Sequence, residues 1–398
     1  MSSSSGSTRE FWMVIHRWSG LATMAFLAIA AITGCILCFA KPLDRALNRD
    51  LFTVETVQAA DLPPVEVVSA FQKSWPDLQV TSFPLRVAPG ETIPVGVSAA
   101  AGAEPPGYNQ VFLDPADGQV IGTRATGPGW ERRQIVEGIA EFHFTLLAGD
   151  PGRWLMGVVA LVWFISNFVG FYLTFPKRKP FFRQWKRIWK FRLSSPFPRQ
   201  MLDLHRASGL WLFIGIAALA STSVGLNFFG EFYEPAVTRM APLKYRLFDQ
   251  PEPFPQGTRP SLDYADAVRL AREQAASEGL AWKPATALYN SGYNIYGVTF
   301  TNDGLLNYRA LGPIYLYFDA ASGEFAHRVD PYVDSAGLVM IRVLYPLHSG
   351  QVAGWPTIAL VFLLGLVTLV HAVTGFYIWW KKRKVRRAPR LHATSAAP

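Results

Sequence analysis

The chain has 398 residues, half of them hydrophobic, with 13 Trp, 28 Phe and a formal net charge of +9. Two cysteines are too few for a disulfide framework or a thiolate metal cluster. The positive charge would suit nucleic acid in a soluble protein, but here it abuts apolar runs. Residues 176–206 hold ten Lys/Arg against one acid, Asp203, and the tail after Trp380 holds seven Lys/Arg and no acid. That is the positive-inside asymmetry. It argues against a nucleic-acid partner and predicts that both termini and the 176–206 loop face the cytoplasm.

Four apolar runs, 21–40, 153–175, 210–229 and 356–380, reach the roughly 20 residues a helix needs to cross a bilayer core of about 30 Å. Backbone groups in lipid must bond internally, so each run is expected as a helix. Residues 1–8 are Ser-rich and expected to be disordered. The first apolar run contains a lipoprotein-like box, Ile32-Thr33-Gly34-Cys35, yet continues through Ile36, Leu37 and Phe39. It therefore reads as a retained span. Cys35 and Cys38 lack the following His of a c-type haem attachment site and read as small core residues.

Residues 41–130 are polar and punctuated by Pro and Gly. The pattern predicts a helix over 65–74, strands over 78–88, 93–98 and 109–113, and a turn over 114–118 leading to a strand at 119–122. Residues 131–147 read as a helix leading into the second span. A second polar segment, 231–340, predicts a helix over 261–278 and strands over 287–289, 293–301, 307–310 and 314–318. Its turn at 319–324 matches the one at 114–118.

The chain repeats itself. Residues 142–179 align without a gap with 347–384, placing His143 on His348, Pro151 on Pro356, and Gly170-Phe171-Tyr172 on Gly375-Phe376-Tyr377. His16-Arg17-Trp18-Ser19-Gly20-Leu21 recurs as His205-Arg206-Ala207-Ser208-Gly209-Leu210. Both copies start on the same side, which predicts parallel repeats about an axis along the membrane normal. The expected fold is a mainly α membrane protein with four transmembrane helices as two parallel repeats, each carrying an inserted extracytoplasmic α+β module. The divisions are 10–40, 41–130, 131–175, 176–204, 205–230, 231–340, 341–380 and 381–398.

Of seven histidines, His327 and His392 have no repeat partner beside a span and read as surface residues. His16 and His205 fall at the cytoplasmic mouths, His143 and His348 at the outer mouths. Two symmetry-related imidazoles at one depth suit bis-His ligation of haem, which leaves the iron no open position and favours electron transfer. Free zinc or iron is the rival, but a structural zinc site takes four ligands. His371 stands where the first copy has Ser166. It is an axial ligand in place of His16 or His205, a relay between haems, or a core residue; an ionisable side chain within a span is otherwise costly. Two levels imply two haems b. Arg17 and Arg206 are candidate partners for their propionates, or simple positive-inside anchors. Trp130, Tyr332 and Tyr345 are candidate docking aromatics at the outer face.

The His-Arg-x-Ser-Gly-Leu entry, the His-x4-Ala-Gly-x-Pro approach and the Gly-Phe-Tyr exit resemble the PepSY-associated transmembrane (PiuB-like, iron-regulated membrane protein) family, over about residues 10–387. The polar segments resemble PepSY modules. The resemblance to this family, whose best-understood members are FoxB-type inner-membrane siderophore reductases, implies a bacterial inner-membrane di-haem protein that reduces a ferric siderophore in the periplasm and releases iron. On that reading His16, His143, His205 and His348 fall on the family's motif positions. No flavin or nicotinamide fingerprint occurs, so electrons are expected from quinol or a cytoplasmic donor. The rival readings are a siderophore or iron permease and a non-enzymatic membrane regulator.

Overall fold

The computed structural model describes residues 4–54, 62–244, 248 and 251–387. Its first apolar run forms α1, Ser4–Leu37. Residues 4–8, expected to be disordered, belong to that helix; residues 1–3 lie outside the described part. Short helices α2, Ala40–Leu47, and α3, Arg49–Phe52, lead away from it. Then come α4, Pro64–Ser74, and four strands: β1, Leu78–Pro84; β2, Ile93–Ala99; β3, Gln110–Leu113; and β4, Val120–Arg124. Helix α5, Ile135–Thr145, approaches α6, Gly149–Leu173, and α7, Phe181–Trp185, opens the basic loop.

The second half begins with α8, Phe197–Trp211, and α9, Phe213–Asn227, followed by a π-helical turn, Phe229–Tyr233, and α10, Glu234–Met240. Helix α11, Tyr264–Ser277, precedes β5, Lys283–Asn290; β6, Ile295–Thr301; β7, Ile314–Asp319; and β8, Phe325–Val329. Helices α12, Ala336–Ser349, and α13, Trp355–Arg387, close the fold. The strand expected at 307–310 is a loop, and β8 takes its place after the Asp319 turn, as β4 follows the Asp114 turn.

Among the described residues three helices are long and apolar enough to cross a membrane, and the fourth candidate is α8 with α9, bent by 74°. The sequence predicted one unbroken span over 205–230. Instead the helix starts at Phe197 and breaks at Leu212, where φ is −111° and ψ 16°. No proline lies at the break; Ser208 and Gly209 lie within one turn before it, and α8 is tied to the basic loop at two points. Asp203 is fully buried among arginines of the basic loop, and Trp211 donates to the Trp189 carbonyl at 3.1 Å. Helix α1 packs on α6 and α13, α9 packs on α6, and α8 packs on α13. Ile32, Ile165, Ile214 and Val373 point outward, at least half exposed, as lipid-facing residues do. Cys35 and Cys38 are free thiols, and Cys35 contacts the Phe362 carbonyl at the α1–α13 interface.

The two polar segments form one sheet. Its order is β4-β3-β2-β1-β5-β6-β7-β8, antiparallel throughout. The seam pairs Ser82 with Leu288, Phe83 with Ala287 and Pro84 with Thr286. The period-2 pattern shows which face of a strand is buried but not what lies beside it, so the sequence could not show that the two modules share an edge. Joining β1 to β5 hides two strand edges that would otherwise seek partners.

One face packs under α4 and α11. Val80, Phe83, Val95, Val298 and Leu316 meet Val68 and Phe71 from α4 and Ala267 and Ala271 from α11. The halves interlock at the seam. Phe83 meets the Tyr264 ring edge-on at 4.9 Å, and the Tyr264 hydroxyl donates to the Val80 carbonyl at 2.8 Å. Phe83→Ala is expected to cost about 3–5 kcal/mol. Hydrogen exchange is expected to speed up in β5 as well as β1, whereas independent modules would leave β5 unchanged.

Candidate functional site

Five histidines line the interior of the helical bundle at two levels. On the sheet side, His143 from α5 and His348 from α12 face each other, with ring centroids 6.3 Å apart. On the basic side, His16 from α1 and His205 from α8 are 6.4 Å apart, and His371 from α13 lies 5.0 Å from His205. His16 and Thr33, the hydroxyl that holds His143, are 17 residues apart on α1, about 25 Å along an unbroken helix.

Hydroxyls fix how each ring is turned, and each hydroxyl has one proton. Thr33 Oγ1 donates to the Ile29 carbonyl at 2.7 Å, so it accepts from His143 Nδ1 at 2.9 Å. Thr222 Oγ1 donates to the Leu219 carbonyl at 2.9 Å and accepts from His348 Nδ1 at 3.1 Å. Thr374 Oγ1 donates to the Val370 carbonyl at 2.6 Å and accepts from His205 Nδ1 at 2.9 Å. These three imidazoles are assigned protonated at Nδ1, each with its Nε2 lone pair free. His16 Nδ1 lies 2.9 Å from Ser166 Oγ. His371 is turned the other way. Ser208 Oγ donates to the Leu204 carbonyl at 2.6 Å and accepts from His371 Nε2 at 2.9 Å, which leaves Nδ1 of His371 as the lone pair.

The helix exits supply the room. A Cβ on Gly170 would lie 3.1 Å from His16 Cε1, and one on Gly375 would lie 3.5 Å from His205 Cε1. The repeated Gly-Phe-Tyr motif thus places a residue without a side chain against each basic-side ring. Gly34 does the same for His143 at 3.1 Å.

The spacing within each pair can be compared with that of two imidazoles on one metal. A metal–imidazole bond is about 2.0–2.1 Å. With the nitrogen roughly 1.1 Å from its ring centre, two imidazoles sharing one metal from opposite sides have centroids about 6.3 Å apart. His143–His348 and His16–His205 both meet that spacing. Among the described residues no group of three or more His, Cys, Asp or Glu is arranged to hold a bare metal ion.

The arginines beside the basic-side pair are under-used. Arg17 Nε and Arg206 Nε are both buried without a hydrogen-bond partner. Arg206 also donates to Asp203 at 2.6 Å. Of the expected docking aromatics, Tyr345 lies on α12 three residues before His348 and is exposed. Tyr332 donates to the Gly312 carbonyl at 3.1 Å, and Trp130 is exposed in the segment before α5. His327 sits on β8, away from both levels, and His392 lies outside the described residues. The hydroxyls of Thr33, Thr222, Thr374 and Ser208 were not anticipated as site residues. The signal was present, since Thr33 and Thr222 occupy matching positions of the repeated first and third runs.

A family model described as the PepSY-associated TM region matches residues 13–382, nearly the whole chain, and the chain belongs to that family. No curated protein matches it.

Proposed function

From membership of the PepSY-associated transmembrane family, we propose that this chain is an inner-membrane di-haem b reductase that carries electrons outward to a ferric siderophore. Both termini and the basic loop lie in the cytoplasm, as positive-inside charge requires, and the sheet lies in the periplasm. The bent pair α8–α9 counts as the third of four spans in two parallel repeats. One observation carries the reading: two histidine pairs at 6.3 and 6.4 Å, one toward each end of the bundle. Two protein ligands per level suit a metal whose remaining ligands come from a planar macrocycle.

The residues present fit haem. His143 with His348 would hold one, and His16 with His205 the other. Haem held by two imidazoles supplies one-electron transfer with no open iron position. The chain's own groups do the rest. Thr33, Thr222 and Thr374 accept the Nδ1 protons and keep each Nε2 free for ligation, the usual role of a metal site's outer shell. Arg17 and Arg206 offer Nε donors to anionic propionates at the basic side. The lipid-facing Ile and Val side chains keep water from the interior.

At the sheet side the substrate is Fe(III) in an oxygen-donor cage. One electron converts it to Fe(II), which such hard ligands hold far less tightly. That step needs no nucleophile or general base from the protein. The electrons enter on the cytoplasmic side from quinol or a soluble donor. A permease is less well supported, because the break at Leu212 is single, α1 is unbroken at the matching position, and midplane transport sites use paired breaks.

A dithionite-reduced-minus-oxidised spectrum of the detergent-purified protein tests the reading. Two b-type haems per chain are expected. Haem-free protein from cells with ample haem supply would refute it in favour of a permease or a membrane regulator.

A further inference from the structure

The two halves differ most at the sheet-side mouth of the bundle. In the first copy, α5 carries Glu137 and Ala140 ahead of His143. In the second, the matching positions of α12 are Arg342 and Tyr345 ahead of His348. Residues three apart on a helix share a face, so Arg342, Tyr345 and His348 form one stripe from the sheet toward the buried histidine pair. A duplicated support would serve equally well with matching residues. This stripe is cationic and aromatic on one side only.

Other elements bring like chemistry to the same place. Arg342 Cζ lies over the Tyr315 ring of β7 at 5.2 Å, and Tyr315 stacks on Tyr317 at 5.8 Å. The loop before β7 docks on the approach to α13 through Ala310 N donating to the Gln351 carbonyl at 3.0 Å. That contact sets Arg309 beside Gly354, where an added Cβ would be 3.9 Å from Arg309 Cζ. Tyr308, on the same loop, is exposed, and its phenol is pushed up by burial of its hydroxyl and by Tyr315, with Arg342 and Tyr345 also close. Lys41, in the first turn of α2, is near enough to Arg309 to feel its charge. Desolvation and then Arg309 and Arg45 hold its ammonium below the ordinary range.

The acids nearby are engaged elsewhere. Glu91 pairs with Arg45 at 2.5 Å. Asp303, which feels Arg309, accepts from the Leu305 amide at 3.0 Å and from Thr301 Oγ1 at 3.1 Å. Among the described residues Lys41, Arg309 and Arg342 form no ion pair with a carboxylate. Three cations with uncommitted charge, walled by Tyr308, Tyr315 and Tyr345, are complementary to an anionic ligand with aromatic or planar faces.

We infer that the surface where β7, the 303–312 loop and α12 meet is a binding site for net-anionic, aromatic-rich metal chelates of the tris-catecholate type, and that it discriminates against neutral tris-hydroxamates. The inference rests on the reductase reading for its purpose but not for its test. Gallium(III) chelates keep the shape and charge of the iron(III) complexes and accept no electron under the same conditions, so they report binding alone.

The experiment titrates gallium(III) tris-catecholate, a trianion, and a neutral gallium(III) tris-hydroxamate into the full-length protein in a non-ionic detergent. The trianion is expected to bind at least about tenfold more tightly, and its affinity to fall steeply as salt rises. Arg309→Gln, Arg342→Gln and Lys41→Gln are each expected to weaken the trianion by about tenfold and leave the neutral chelate unchanged. The salt dependence of the unaltered protein makes the test independent of whether a variant folds. Equal affinities for the two chelates, or a salt-independent trianion, would overturn the site even in protein that carries both haems. Charge-selective binding by protein without haem would instead uphold the site and remove the reductase reading.

Discussion

His348→Ala and His143→Ala are each expected to lower the haem content from about two per chain to about one, and His371→Ala to leave it at about two. The geometry makes the difference. His143 and His348 share the spacing of two imidazoles on one metal and have Nδ1 committed to Thr33 and Thr222. On the basic side, His16 and His205 reproduce that spacing, and His205 reproduces the Nδ1 anchor through Thr374. His371 does neither. It lies closer to His205, at 5.0 Å, and spends Nε2 on Ser208. His16→Ala and His205→Ala are therefore expected to remove the second haem. Loss of an outer-shell partner costs 10–100-fold in metal affinity or activity, so loss of a ligand at the sheet-side pair should lower ferric-chelate reduction by at least about 100-fold. Haem per chain by pyridine haemochrome, beside reduction rate, reads all five variants. If His371→Ala loses a haem while His16→Ala keeps both, the basic-side ligands are His205 and His371 instead.

Much of this was legible in the residues because duplication supplies its own control. One His-Arg at a helix mouth reads as an interfacial polar pair; two in register, beside two matched outer histidines, predict facing pairs, and the fold brings His143 to His348 and His16 to His205. The hydroxyls that turn those rings were harder to see. Thr33 and Thr222 look like ordinary small residues of a membrane helix until the fold brings α1 against α5 and α9 against α12. The shared sheet was hidden for a different reason. Ser82 and Leu288 pair across 206 positions of chain, and nothing in an alternating pattern says which edge a strand will find. The bend at Leu212 was not anticipated, because no proline marks it and the Ser-Gly pair before it, Ser208-Gly209, recurs as Ser19-Gly20 in the unbroken α1. Nor does the pattern show that Asp203 is buried between Arg192 of the preceding loop and Arg199 and Arg206 of α8.

That carboxylate, Asp203, carries the second large expected effect. It is fully buried, and three guanidinium groups meet it: Arg192 at 2.9 Å, Arg199 at 3.1 Å and Arg206 at 2.6 Å. Arg199 and Arg206 stand four residues before it and three after it on α8, so all three share one face of the helix, and Arg192 reaches in from the basic loop. The first copy has Val14 at this position, on a helix that runs straight. Removing one partner of a buried ion pair costs about 3–5 kcal/mol because the other charge is left unpaired. Arg192 and Arg199 are each 43% exposed and recover water, so Asp203→Ala should cost about 2–3 kcal/mol. Asp203→Asn keeps one acceptor oxygen for the guanidinium groups without the charge and should cost somewhat less. Arg206 is the group left worst off. It is the least exposed of the three, its Nε already lacks a partner, and it adjoins His205 in sequence. Asp203→Ala should therefore melt earlier, by roughly 5 °C in scans at one heating rate, and lose haem from the basic-side pair before the sheet-side pair. Equal melting of Asp203→Ala and the unaltered protein, with both haems retained, would mean that the arginines find other partners and that the buried carboxylate does not hold the basic side together.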